Sequence, residues 1–299
     1  MGEENKKNFW SIGKQAFKNW INTDATTLAA SVAYYAIFAL PAILLIVINI
    51  AGSLFGQAAV KGEISSQLSS ILGADTAQQL QTLIENASVN SSSPIMTIIG
   101  IVVLVVSATG LFIHLQKALN RIWEVKTKPE TGIVKKLLNR TASFGVIILI
   151  GLLLLASILL TTALSVFSDF IIKNLPSYAI YLFYAISFLV SFGLIIVLFA
   201  LIYKILPDVK IKWRSVWRGA IFTAFLFMLG KFAMSYYFGH FNPGSAYGAA
   251  GTIILTLLWI YYSCLLLFYG AAFTQVYAKE HNHPIKPNSY SLKTEPCPS

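Results

Sequence analysis

Charged side chains are scarce in this sequence. Only 11% of its 299 residues are Asp, Glu, Lys or Arg, while 56% are hydrophobic and the mean hydropathy is +0.69. Soluble domains carry about 25% charged residues, so a chain this apolar has too few polar groups to cover a surface that faces water. The composition excludes an ordinary soluble protein and predicts that most of the chain lies in lipid.

The motifs of common enzyme chemistry are also missing. The chain has no GxxxxGK[ST] loop for nucleotide phosphates and no GxSxG nucleophile elbow. Of its four histidines, only His281 and His283 are close in sequence, and no third ligand lies near them, so we interpret the pair as part of a solvated tail. We therefore predict no catalytic residue, no metal site and no cofactor, and a protein that is not an enzyme.

Cysteine is rare, and a cleavable signal peptide is not visible. Cys264 lies in an apolar stretch and Cys297 in the polar tail, so the two are not expected to pair and no disulfide framework is implied. Cys264 is interpreted as a small core or lipid-facing residue. The first 23 residues are polar or amphipathic, and the apolar run that follows is too long for a signal peptide, so we expect a retained anchor.

The most apolar stretch that the chain does contain is Tyr247 to Ala278, which has no charged residue or histidine. A helix of this length is about 48 Å long, which exceeds the ~30 Å hydrocarbon thickness of a bilayer. Trp259, Tyr262 and Ser263 lie in its middle, at membrane depth, and are candidates to line a transport path. The stretch predicts a transmembrane helix around which the rest of the chain is organised.

The same pattern predicts six transmembrane helices in all. The other five predicted spans are 25–52, 94–113, 141–167, 178–206 and 216–239. Residues 1–24 form a cytoplasmic amphipathic segment, residues 25–278 the transmembrane domain with an outer helical insertion at 57–93, and residues 279–299 a cytoplasmic polar tail. The fold class is thus all-α, a polytopic membrane protein.

The amphipathic segment from Lys6 to Ile21 carries aromatic residues on one face and lysines on the other. This is typical of a helix that lies in the headgroup region of a membrane. The alternative is an ordinary cytosolic helix packed on the loops.

The positions of the basic residues predict the threading. Four Lys or Arg precede the first span, seven lie in the second connection, five in the fourth and three in the tail, so 19 of the 22 lie on one side. By the positive-inside rule, both termini are cytoplasmic. The asymmetry also accounts for the net charge of +10 without a nucleic-acid partner.

Lys231 is the most unusual candidate site residue, because it is a charged residue inside a predicted span. Such residues usually face a cavity or a partner, although a lysine stem can also extend to the interface. Further candidates for a path are Tyr34, Tyr35 and Asn49 on the first span. Asp24, His114, Lys117 and Arg121 mark the inner helix ends and form a candidate inner gate, for which a purely structural tie between helix ends is the alternative.

Three stretches resemble the YihY/BrkB family of bacterial inner-membrane proteins. They are DATTLAASVAYYAIFALPAILLIV from Asp24, TGLFIHLQKALNRIWEVK from Thr109, and the last span with its LLWIYYS and FYGA. The resemblance covers about Trp10 to Ala278 and implies a six-helix domain in the inner membrane. Some members carry a virulence label and others a misassigned ribonuclease label, so it implies no particular activity. The resemblance also leads us to expect an acidic residue where this chain has Ala272.

Transport of a lipid or of a small anionic solute across the bacterial inner (plasma) membrane is the predicted function. It rests on polar faces on several spans, an intramembrane lysine and the lack of a catalytic constellation. The expected partners are membrane lipids and an unidentified lipid or small-molecule ligand, and a homo-oligomer is left open. The alternative is an envelope scaffold that uses the outer segment 57–93. A membrane-bound nuclease is more distant, because hydrolysis of this kind needs clustered metal ligands.

Overall fold

The computed structural model describes residues 9–55, 94–128, 177–241, 250–283, 285–289 and 291–293, together with 61–62, 64–66, 69 and 78. Within these residues the helices are α1 (Phe9–Asn22), α2 (Ala25–Phe55), α3 (Pro94–Ile122), α4 (Ser177–Ile205), α5 (Trp213–Phe241) and α6 (Gly251–Glu280). The strands are β1 (Val125–Thr127), β2 (Val209–Lys210), β3 (Lys286–Pro287) and β4 (Ser291–Lys293). The predicted span 141–167 and most of the predicted outer segment lie outside the described residues.

Helices α1 and α2 are joined by a tight turn. Thr23 Oγ1 donates to the carbonyl oxygens of Asn19 and Trp20 at 3.0 Å, which satisfies acceptors at the end of α1. Asp24 has a left-handed backbone with φ 56°, and its Oδ1 accepts a 3.0 Å hydrogen bond from Thr27 Oγ1 in the first turn of α2. Thr23 thus caps the end of α1, whereas the Asp24 side chain bonds to a hydroxyl group and not to a backbone N–H of α2.

Helix α6 is the centre of the described bundle. It packs against α1, α2, α3 and α5, while α4 joins the bundle through α5. Every residue of α6 from Gly270 to Ala278 is buried. Cys264 is buried on the same helix, in the core. The prediction that the last apolar stretch organises the chain therefore agrees with the packing.

The contact between α5 and α6 is built from two glycines and two threonines. A Cβ on Gly219 would overlap the side chain of Thr274, and a Cβ on Gly270 would overlap that of Thr223. In both helices the glycine precedes the threonine by four residues, so each glycine is the notch for the threonine of the other helix. Small residues at this spacing let membrane helices approach closely.

Tyr203 of α4 joins this contact. Its hydroxyl donates to the Leu267 carbonyl at 2.8 Å and lies 2.9 Å from Thr223 Oγ1. The two threonines donate back to their own helices, Thr223 to Gly219 O and Thr274 to Gly270 O, each at 2.7 Å. The buried hydroxyl groups of Tyr203, Thr223 and Thr274 are thus all hydrogen-bonded, as is usual for buried polar groups.

The outer face of α5 is apolar and exposed. Phe225, Leu229, Phe232 and Tyr236 recur at helical spacing, and their exposed fractions range from 52% to 64%. A stripe of this kind is typical of a surface that contacts a membrane or another protein. Within the described residues, three helices are long and apolar enough to cross a membrane: Ala185–Ile205, Trp213–Phe241 and Gly251–Glu280. The chain is therefore a membrane protein, and the full count of six spans stays a prediction.

Helix α1 packs on α6 and, to a lesser extent, on α2. Ile12 and Ala16 are buried, and Tyr269 of α6 donates to the Gly13 carbonyl at 3.2 Å. The ring of Phe9 contacts that of Phe273 at 5.1 Å between centroids, whereas Trp10 is exposed. These contacts are with helices, so they do not fit the alternative prediction of a helix packed on the loops. The position of α1 in the headgroup region stays a prediction.

The described part of the C-terminal tail returns to the bundle and pairs with it, which corrects the prediction of a solvated tail. Strand β4 pairs antiparallel with β1, and β3 pairs antiparallel with β2. The described residues are mostly helical, as predicted, and these four short strands add two small sheets to the helices. Strands of two or three residues are too short to show the alternation by which strands are recognised in a sequence.

Candidate functional site

Lys231 lies on α5, about 27 Å along the helix from its first residue. It is half-buried, and among the described residues no hydrogen bond or ion pair reaches its ammonium group. The preceding residue, Gly230, is buried against α6, because a Cβ there would lie 2.7 Å from Tyr262 Oη and 3.0 Å from Leu266 Cδ1. The predicted path residue Tyr262 therefore contacts α5 at Gly230, the residue next to Lys231.

The other two candidates on α6, Trp259 and Ser263, are partly buried. The Trp259 ring packs edge-on against Phe227 at 5.8 Å between centroids. Ser263 Oγ donates to the Trp259 carbonyl at 2.8 Å, so its hydroxyl is already used inside the helix. Ser263 is therefore a weaker path candidate than its position in the sequence indicated.

Tyr35 and His114 are brought together between α2 and α3. Their rings stack at 4.6 Å between centroids with an interplanar angle of 22°. Gly110 makes room for this stack, since a Cβ there would overlap the Tyr35 ring. Tyr34 packs edge-on against Tyr35 and is 57% exposed. Asn49 lies on α2, but its side chain is outside what the structure describes.

The rest of the candidate inner gate is not assembled. The Asp24 carboxylate is exposed and bonds to Thr27 in its own helix, rather than to Lys117 or Arg121. Both of these basic residues are exposed. Only His114, through Tyr35, links two helices as the gate hypothesis required.

A buried cluster that the sequence analysis missed lies at the same ends of the helices. Asp208, which is 6% exposed, accepts hydrogen bonds from Asn120 Nδ2 at 2.8 Å and from Gln116 Nε2 at 3.1 Å. Its own backbone N–H donates to Asn120 Oδ1 at 2.8 Å. Its carbonyl accepts from the Asn288 N–H of the tail at 3.0 Å. Asp208, in the α4–α5 connection, is therefore joined to α3 through its carboxylate and to the tail through its backbone carbonyl.

The two tail histidines act as attachment points rather than metal ligands. His283 Nδ1 lies 2.7 Å from Ser215 Oγ at the start of α5. His281 stacks on Tyr277 at 4.0 Å between centroids, and the Arg218 guanidinium lies over the same tyrosine ring at 5.0 Å. Within the described residues no group of three His, Cys, Asp or Glu is placed to hold a metal ion.

Attachment of the tail should weaken in acid. Burial, and then the positive charges of Lys212, His281, Arg214 and Arg218, hold the pKa of His283 below its ordinary value. A histidine of this kind stabilises the attached state fully above about pH 6.5, and that contribution is lost as the pH falls below this value. We expect hydrogen exchange at residues 285–293, corrected for its intrinsic pH dependence, to become faster between pH 7.5 and 5.5.

The matched variant for this test is His283→Gln, which does not titrate. Its tail should exchange with little change over the same range. An equal pH response in the two proteins would show that another group controls the attachment.

Comparison with known proteins identifies the family. The family model described as Virulence factor BrkB matches residues 16–293. The chain belongs to the virulence factor BrkB family. This confirms the resemblance predicted from the sequence, and it covers every helix described here except the first residues of α1. No solved structure matches the chain.

Curated relatives in the BrkB family are named only as UPF0761 membrane proteins. One from Verminephrobacter eiseniae is 29% identical over 273 residues, which cover 89% of this chain and 62% of the relative. One from Pseudoalteromonas atlantica is 27% identical over 269 residues, which cover 89% of this chain and 86% of the relative. One from Glaesserella parasuis is 32% identical over 200 residues, which cover 67% of this chain and 66% of the relative. The chain thus spans less than two thirds of the length of the first of these relatives.

Proposed function

We propose that this protein moves a lipid or a small anionic solute across the bacterial inner membrane, with Lys231 as the group that attracts the anion. The observation that carries the proposal is a half-buried ammonium group, in a helix apolar enough to span the membrane, without an ionic partner among the described residues. A lysine at the centre of a membrane helix costs about 2.5–3.5 kcal/mol on insertion scales. An anionic ligand offsets this cost.

The packing around Lys231 suits a binding position. Gly230 brings α5 close to Tyr262 of α6, so an aromatic hydroxyl lies beside the backbone that carries the lysine. Lys231 is about 24 Å along α5 from Ser215, at the end where the tail is attached. An anion held at Lys231 has therefore crossed most of the membrane from that end.

The arrangement of basic segments supports the orientation in this proposal. The turn after α3, the α4–α5 connection and the tail are tied together at one end of the bundle by the strand pairs β1–β4 and β2–β3. These are three of the segments whose excess of Lys and Arg predicts a cytoplasmic position. We place that end, and both termini, in the cytoplasm.

Lys231→Ala and Lys231→Arg test the binding step. We expect native mass spectrometry in mild detergent to detect a defined anionic lipid or solute on the wild type and on Lys231→Arg, and at least a ten-fold lower occupancy on Lys231→Ala. Lys210→Ala, which removes an exposed lysine of β2, is the control for a general loss of positive charge and should bind as the wild type does.

Flux decides between transport and simple lipid contact. The compound identified in this way is loaded into vesicles that contain the wild type or Lys231→Ala, and its transfer across the bilayer is measured. Faster transfer with the wild type supports the proposal. Equal transfer with both proteins, or equal retention of the compound by both, would contradict it and leave Lys231 as a lysine that extends to the interface.

A further inference from the structure

A cavity of about 460 Å³ lies at the end of the bundle where the tail is attached. Three segments form its wall: the turn after α3, the end of α6 and the returning tail. The residues that line it are Trp123, Glu124, Val125, Lys279, Asn282, His283, Ile285, Pro287 and Lys293. His283 is tied to Ser215, so the cavity lies at the opposite end of α5 from Lys231 and is a separate site.

The wall of the cavity is held in an unusual backbone geometry. Glu124 and Asn282 follow the ends of α3 and α6, and their φ angles are 57° and 51°. Residues other than glycine adopt this left-handed region infrequently, and a glutamate there is less common than an asparagine. The Glu124 carboxylate accepts from Lys279 Nζ at 2.8 and 2.9 Å, which links the two helix ends directly. The two segments are therefore fixed relative to each other by more than the strand pairing.

The cavity has a surplus of positive charge. Glu124 is neutralised by Lys279, and no acceptor among the described residues bonds to the ammonium group of the other lining lysine, Lys293. Beyond the wall, Lys212, Arg214 and Arg218 are close enough to His283 to help lower its pKa. These charges attract an anion and oppose a cation.

The remaining lining suits a ligand larger than a simple ion. Val125, Ile285 and Pro287 provide an apolar part, while Asn282 and His283 provide polar groups. The aromatic side chain of Trp123 adds to the wall. The volume lies within the range of about 300–1,000 Å³ that is usual for small-molecule sites.

We propose that this cavity binds a phosphate-bearing ligand, with Lys293 and His283 as the groups that contact the phosphate. The phosphate belongs either to a soluble molecule of nucleotide size or to the headgroup of an anionic lipid at the cytoplasmic interface. Because Ile285, Pro287 and Lys293 lie in the tail, the bound ligand also holds the tail against the bundle. The site is independent of transport through Lys231.

Calorimetric titration tests whether the cavity binds a soluble molecule that carries a phosphate. The wild type in phosphatidylcholine nanodiscs is titrated with ADP, and inorganic phosphate is then added as a competitor. We expect saturable binding that phosphate reduces, at least ten-fold weaker binding by Lys293→Gln, and binding within two-fold of the wild type by Lys210→Gln. Both lysines are exposed and lie in short strands, so the two variants carry the same change in charge and a similar risk to folding.

A parallel measurement tests whether the cavity binds the phosphate of a lipid headgroup. Native mass spectrometry compares the same three proteins after reconstitution with phosphatidylglycerol. Retention of this lipid by the wild type and by Lys210→Gln, but not by Lys293→Gln, assigns the phosphate to a headgroup. The proposal is overturned if the wild type binds neither probe, or if Lys293→Gln and Lys210→Gln bind equally. Hydrogen exchange at residues 285–293 verifies that the tail of each variant is still attached.

Discussion

Gly270→Ala lowers the stability of the bundle by about 1–3 kcal/mol, the range found when a methyl group is forced into a well-packed core. The added Cβ would overlap Thr223 Oγ1 and would lie 2.5 Å from the hydroxyl oxygen of Tyr203. Both partners are held by hydrogen bonds, to Gly219 O and to Leu267 O, so neither can rotate away without leaving a buried polar group unsatisfied. Thermal denaturation in detergent should show a midpoint several degrees below that of the wild type.

Gly193→Ala is the matched control for this effect. Gly193 is a helical glycine of α4, and nothing lies within 4 Å of a Cβ built there. Alanine is favoured over glycine in a helix by about 1 kcal/mol, so this variant should be as stable as the wild type or slightly more stable. Equal losses in the two variants would show that the close contact of α5 and α6 is not the cause.

A double variant separates the clash from other effects. Thr223→Ala removes one of the two groups that the new methyl would overlap, and it leaves Tyr203 in place. Gly270→Ala in that background should therefore cost less than it does in the wild type, because the two residues are in contact and their effects are not additive. Strict additivity would contradict the geometry.

The parts of the fold that the sequence predicts well are those with a local cause. Helix α2 begins at Ala25 and α3 at Pro94, as predicted, because a short polar segment precedes the first and a proline opens the second. The central role of α6 follows from its lack of charge over the whole length of a span. Such signals lie within one segment and need no knowledge of its neighbours.

The contacts between segments could not be predicted in the same way. Gly219 and Thr223, and likewise Gly270 and Thr274, stand four apart in the sequence, but nothing local indicates that each pair fits the other. The stacking of Tyr35 on His114 depends on how α2 and α3 are placed side by side. Partner choice between helices is a tertiary property, and one sequence without aligned relatives carries little information on it.

The candidate sites show the same difference between local signals, which a sequence reveals, and contacts between distant segments, which it does not. Lys231 was identified because a charge inside an apolar helix is conspicuous by itself, and the structure leaves it half-buried. The cavity beneath the tail was missed, because its wall combines residues from around position 124 and from 279 to 293 that no local pattern connects. Asp208 appeared in the sequence only as one acidic residue among several in the connections.

Asp208→Ala should be the most destabilising substitution of a polar residue at this end of the bundle, by about 2–4 kcal/mol. It removes the acceptors of Asn120 Nδ2 and Gln116 Nε2 in a buried place, and each buried donor left without a partner costs about 1–3 kcal/mol. Gln116 keeps its 3.3 Å bond to the Leu206 carbonyl, which limits the loss on that side. The measurement is the free energy of unfolding, or the thermal midpoint, in the same detergent.

Two comparisons make this prediction specific. Asp208→Asn keeps one acceptor oxygen but turns its NH2 group toward one of the two donors, Asn120 Nδ2 or Gln116 Nε2, so we expect a loss of stability that is smaller than that of Asp208→Ala but still measurable. Asp24→Ala removes an exposed carboxylate that accepts a bond only from the Thr27 hydroxyl, and surface substitutions of this kind usually change stability by no more than about 0.5 kcal/mol. A loss at Asp208 no larger than that at Asp24 would contradict a buried, structure-determining role for the cluster.

The effect should also reach the tail. The Asp208 carbonyl accepts from the Asn288 N–H, and its backbone N–H is held by Asn120, so the position of the main chain at 208 fixes where β3 pairs with β2. Hydrogen exchange at residues 285–289 should therefore rise in Asp208→Ala and stay near the wild-type rate in Asp24→Ala. Faster exchange in the first variant alone would connect the buried carboxylate to the tail segment that forms part of the cavity wall. Unchanged exchange in both would show that the strand pairing and the Ser215–His283 contact are sufficient to hold the tail.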